Sequence, residues 1–135
     1  HIRREKATSN ICTAQGFMCL YVASYLSLMG PKGVQEVNEQ SYAHAHYLRD
    51  RLLETGVFEE VFPGQPFLNE FTVRYTGTED LRGQLLDSRF LFGVPTEGME
   101  NCLTLACTEK TPKALVDYLI EHINYFLESP EEENV

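Results

Sequence analysis

Basic residues are scarce: 11 Lys and Arg stand against 20 Asp and Glu, giving a net charge of -9 and a pI near 4.8. That balance excludes the broad cationic face needed for a general nucleic-acid or bilayer-surface role, though it leaves room for a small local anion site. Cysteine is also sparse, and Cys12, Cys19, Cys102 and Cys107 follow no zinc-binding spacing. Cys12 and Cys19 fall in one helical stretch, where about 10 Å of helix rise separates them, too far for a disulfide. The four therefore read as reduced, mostly buried small residues, as suits a cytoplasmic protein. No signal peptide is visible. The longest apolar stretch, 11–29, is interrupted by Thr13, Gln15, Gly16, Ser24 and Ser27, so it reads as a core helix and not a membrane span. The chain has no initiator Met, and its abrupt polar start leads to the expectation of a piece cut from a longer protein.

Reactive constellations are lacking as well. "GPKG" has too few glycines, and no strand before it, to be a phosphate loop. No Ser or Cys sits in a nucleophile elbow. His44 and His46 are two apart on a helix and point to opposite sides, and His122 lies near a helix carbonyl end, so no metal site is expected. Glu59-Glu60 and Glu131 to Glu133 read as solvated charge. The lysines are Lys6, Lys32, Lys110 and Lys113, none in an apolar setting that would lower its pKa for Schiff-base chemistry. No catalytic residue is assigned.

What is present is enough for a domain. With 135 residues, 43% of them hydrophobic, a core forms without staples. Ser9 or Asn10 can cap a helix running to about Met29, where Gly30 stops it and Pro31 opens the next. That second helix, to about Thr55, carries the stripe Val34, Val37, Ser41, Ala45, Leu48 and Leu52. "VFEEVF" and "FLNEFTVRY" read as strands, the latter alternating Phe71, Val73 and Tyr75 with Glu70, Thr72 and Arg74. Thr78 is expected to cap a short helix to about Ser88, "FLFGV" to be a brief strand or extended piece, and 93–98 a loop. "CLTLACT" reads as a strand with Leu103, Leu105 and Cys107 on one face. Thr111-Pro112 starts a last helix with Val116, Leu119, Ile120, Ile123 and Leu127 inward. The expected fold class is α/β, of the α+β kind: helices packed on one face of a small, mostly antiparallel sheet. Residues 130–135 read as a disordered acidic tail.

Two places invite a binding role. Arg74 lies on the strand face opposite Phe71, Val73 and Tyr75, where a guanidinium suits a carboxylate or a partner contact. The opening "HIRREKATSNICTAQ" joins Arg3, Arg4 and Lys6 to the short donors Thr8, Ser9 and Asn10 at a helix start. Unpaired amides and the positive dipole end there can hold a phosphate; ordinary capping behind a solvated basic lead-in is the plainer reading.

"HIRREKATSNICTAQ", "MGPKGVQEV", "FLNEFTVRY" and "MENCLTLACTEKTPKALVDYLI" occur in this order across nearly the whole chain. Together they resemble the P-protein of the glycine cleavage system, in particular the first subunit of its two-subunit bacterial form. The resemblance implies the C-terminal domain of a fold-type I pyridoxal-phosphate-dependent transferase. Residues 1–30 would be a lead-in and linking helix from the end of a large domain, and 31–129 the small domain. It implies an enzyme, glycine dehydrogenase (decarboxylating), that decarboxylates glycine and passes the aminomethyl group to lipoyl H-protein. Pyridoxal 5'-phosphate would be held by the partner, glycine dehydrogenase subunit 2, whose lysine forms the Schiff base; none is expected in this piece, which alone would be inactive. In related enzymes a threonine just ahead of a helix binds the cofactor phosphate of the neighbouring subunit. That analogy places Thr8 in the role with Ser9 and Asn10 beside it, and leaves Arg3, Arg4, Lys6 and Arg74 as partner contacts. The loop "GVPTEG" looks short for the family, and the acidic tail matches no family motif. The first helix, apolar nearly all round, would favour an artificial homodimer of the fragment. The rival expectation is a free-standing small-molecule-binding or regulatory two-layer domain.

Overall fold

The computed structural model describes residues 15–128. Its first helix, α1 (Gly16–Glu54), is two helices joined at a kink: Gly30 has φ 61 and ψ 179, and Pro31 follows. That backbone region is essentially open to glycine alone, and Pro31, lacking an N–H, is tolerated where the second helix begins. Gly56, at φ 77, ends α1 as a left-handed stop. The chain divides into two compact units between Gln35 and Glu36. In the first, segment 16–29 exposes nearly every side chain.

The second unit holds the rest of α1, then β1 (Phe58–Glu60), β2 (Glu70–Tyr75), α2 (Leu81–Asp87), β3 (Val94–Pro95), β4 (Cys102–Ala106) and α3 (Lys113–Glu128). The four strands form one sheet in the order β1-β2-β4-β3, every pair antiparallel. In the central pair Phe71 faces Leu105 and Val73 faces Leu103, which places their apolar side chains on one face. All three helices feed the core bordering that face: Ala45, Leu48 and Leu52 from α1, Leu81 and Leu85 from α2, Val116, Ile120 and Ile123 from α3. The other face carries Glu70, Thr72 and Arg74 of β2 opposite Ala106, Thr104 and Cys102 of β4. Helices on one face of a small antiparallel sheet is thus the observed architecture.

Local expectations shift in four places. The cap of α2 is Asp80, not Thr78: its carboxylate accepts from the Gly83 N–H at 3.0 Å. A Cβ on residue 83 would meet that carboxylate, so Asp-x-x-Gly fixes the start where Thr78 does not. Asp80→Ala is expected to cost about 1 kcal/mol by loss of this cap, read as a lowered urea midpoint. Second, of the strand or extended piece expected at "FLFGV" only Val94 pairs, together with Pro95 of the expected loop. Gly93, at φ 62 with the Thr104 carbonyl 3.2 Å from where its Cβ would be, turns the chain onto β4 only there. Third, on β4 Leu105 is buried but Leu103 only half-buried, while Cys102 on the opposite face is buried, its thiol 3.4 Å from the Glu100 carbonyl. Fourth, Cys19 is exposed, whereas Cys102 and Cys107 are buried and free; Cys12 lies outside the described residues.

Candidate functional site

Arg74 is exposed on the helix-free face of the sheet, directly across from Glu59 on β1 and Cys102 on β4. Beside it runs a row of hydroxyls: Thr104 Oγ1 is 3.1 Å from Thr72 Oγ1 and 2.9 Å from Thr96 Oγ1. The sequence placed Arg74 correctly; the hydroxyl row was missed, because it needs the register of β2 on β4. Arg3, Arg4, Lys6, Thr8, Ser9 and Asn10 lie outside the described residues.

Three concavities surround the sheet. A groove of about 690 Å³ follows β4 and α3 and is mainly apolar, with Phe90, Leu91, Val94, Leu115 and Leu119 in its walls. A second, about 270 Å³, brings Arg49 and Glu60 to Phe62, Phe67 and Thr72. Arg49 is already engaged there, 2.6 Å from Asp50 and 3.5 Å from Glu60, with its guanidinium over the Phe67 ring. The third, about 300 Å³, is lined by Tyr75, Glu79, Arg82 and Met99. The Tyr75 hydroxyl is buried without a partner among the described residues. Burial, and then the nearby Glu79 charge, hold its pKa above the usual phenol value.

Cys107, His44, His46 and His122 are engaged by their surroundings. Burial pushes the Cys107 thiol up, keeping it protonated and unreactive. His44 donates to the Thr108 carbonyl at 3.1 Å, and His46 to the Phe67 carbonyl at 3.2 Å while stacking on the Phe67 ring. His122 bonds the Tyr118 carbonyl and lies against Phe90. No cluster of metal-ligating side chains occurs among the described residues. Nor, among them, is any helix long and apolar enough to cross a membrane.

Lys113 and Asp117 form an ion pair at 2.7 Å, and Tyr47 of α1 donates a short hydrogen bond to the same carboxylate. The Lys113 bond first, then the Tyr47 bond, hold the Asp117 carboxyl below its usual range. A depressed carboxylate stabilises the fold above its unfolded pKa and loses that contribution as pH falls through the folded value. Asp117→Asn is therefore expected to be less stable than the parent at neutral pH and to converge with it only as pH falls below the depressed Asp117 pKa, measured by urea melts across pH. The ion pair joins positions i and i+4 of α3, a spacing at which opposite charges meet, while Tyr47 reaches it from α1 and carried no sequence signal.

The site thus defines a class: a two-layer domain that presents surfaces but, among the described residues, joins no nucleophile to a base. Residues 1–123 match the glycine cleavage system P-protein family. The chain is 39% identical over 126 residues to "Probable glycine dehydrogenase (decarboxylating) subunit 1" of Thermomicrobium roseum, covering 90% of this chain and 28% of that one. The like-named protein of Aquifex aeolicus is also 39% identical, with 89% and 28% covered. A crystal structure of glycine decarboxylase (P-protein) in inhibitor-bound form superposes with a TM-score of 0.77 at 34% identity, over 90% of this chain and 28% of that one. The chain belongs to the glycine cleavage system P-protein family, and it spans about 28% of the length of these relatives.

Proposed function

We propose that this chain is the small-domain portion of the first subunit of a two-subunit glycine decarboxylase. Residues 1–30 are its lead-in and linking helix, 31–129 the small domain and 130–135 an acidic tail. The whole enzyme decarboxylates glycine and hands the aminomethyl group to lipoyl H-protein in the cytoplasm. The family match over residues 1–123, with the fold shared by a glycine decarboxylase, carries the reading.

The described residues do not fit covalently held pyridoxal phosphate. Lys32, Lys110 and Lys113 are exposed, and Lys113 is tied to Asp117 in a way that raises its pKa, the opposite of what a Schiff-base amine needs. The partner, glycine dehydrogenase subunit 2, supplies that lysine. This chain's contribution is non-covalent. Thr8, Ser9 and Asn10 offer hydroxyl and amide donors suited to a phosphate, and Arg3, Arg4, Lys6 and Arg74 offer cations to the neighbouring subunit.

The test uses the full-length subunit carrying these residues, assembled with its partner and H-protein. Glycine–bicarbonate exchange is expected only from the assembly, and Thr8→Ala in it is expected to lower cofactor retention together with turnover. Unchanged retention removes Thr8 from the phosphate site; an assembly without exchange overturns the reading as a whole.

A further inference from the structure

Helix 16–29 contains no charged residue, and its large apolar side chains are exposed, from 43% at Tyr25 and 49% at Met18 to 77% at Phe17 and 87% at Leu28. Together with Leu20, Tyr21, Val22 and Leu26 they spread over an arc of about 240° at 3.6 residues per turn. A single flat neighbour covers roughly 100° of a helix, so this one needs cover on more than one side. A second copy laid along it would shield one side only. The chain matches just 28% of the length of its relatives and of the solved glycine decarboxylase, so most of such a protein is polypeptide that this chain does not contain.

We propose that helix 16–29 is an internal strut, enclosed on several sides by the remainder of its own P-protein subunit, whose facing surface is apolar and uncharged. The inference rests on the proposed function only through the chain's place in a longer subunit; it requires no activity. Hydroxyl-radical footprinting tests it. The 135-residue chain is compared with a full-length subunit in which it replaces the matched segment of the Thermomicrobium roseum protein, no second subunit being present. Oxidation of Phe17, Met18, Tyr21 and Tyr25 is expected to fall about tenfold in the full-length subunit, as exposed side chains become core-like. Equal oxidation in both overturns the proposal. So does protection already present in the short chain, which would assign the cover to residues 1–14 or to a second copy. Protection that arises only on adding the partner subunit overturns it too, by assigning the cover to that subunit. If the graft fails to fold, the whole Thermomicrobium roseum subunit and its matched segment alone are compared at the aligned positions. Glycine–bicarbonate exchange, measured separately, reports on the function; its loss leaves the footprint standing.

Discussion

Leu52→Ala is expected to lower the stability of the unit beginning at Glu36 by about 2–5 kcal/mol. Leu52 is 0% exposed and belongs to the cluster joining α1 to Phe58, Val73 and Ile120. Truncation removes its transfer free energy and leaves a cavity that close-packed neighbours fill only in part. A domain of this size holds about 5–15 kcal/mol in total, so the loss takes a large fraction of it. Leu28→Ala is the internal control, because Leu28 lies on the same kinked helix but is 87% exposed. It is expected to stay within about 0.5 kcal/mol in the isolated chain. Urea melts followed by circular dichroism or tyrosine fluorescence read both, since the chain has seven Tyr and no Trp. Equal effects at the two leucines would mean that helix 16–29 packs in the isolated chain as firmly as the core does.

The contrast between these leucines shows what the sequence makes legible. Over 41–52 the apolar positions recur at helical spacing against polar neighbours, and Ser41, Ala45, Leu48 and Leu52 are all buried. Over 16–29 the residues are apolar in nearly every direction, so no period says which side is inward, and here none is buried. The alternation of β2 likewise assigns Phe71 and Val73 inward and Arg74 outward. The bounds of β3 were illegible, though an extended piece reaching Val94 was expected, because two residues carry no period and the positive φ of Gly93 against β4 brings them into register. Asp80 over Thr78 was a choice between two good caps, decided by a glycine three residues on that leaves room for the carboxylate. The candidate site divides along the same line. The placement of a single side chain, as at Arg74 on the exposed face of β2, was readable. The Thr72–Thr104–Thr96 row and the bond from Tyr47 to Asp117 depend on residues distant in sequence meeting across strands or helices.

Adjacent positions on β2 set the last expectation. Val73 is 0% exposed in a central strand, and its neighbour Arg74 points to the helix-free face. Val73→Asp would bury a carboxylate without a partner, and breaking a core in that way costs about 3–5 kcal/mol or more. The second unit is therefore expected to lose its cooperative urea transition in this variant. Arg74→Ala removes an exposed side chain that makes no ion pair among the described residues, so its urea midpoint should match the parent within about 0.5 kcal/mol. In the proposed two-subunit enzyme the order of interest reverses. If the guanidinium meets a carboxylate of the neighbouring subunit, Arg74→Ala should weaken subunit association while leaving the fold intact, and Arg74→Lys should restore only part of it, because an ammonium cannot reproduce the two-pronged contact. Sedimentation of the paired subunits at low and high salt reads this directly. Association that is unchanged by Arg74→Ala at low salt would remove Arg74 from the interface and leave it a solvated residue on an open sheet.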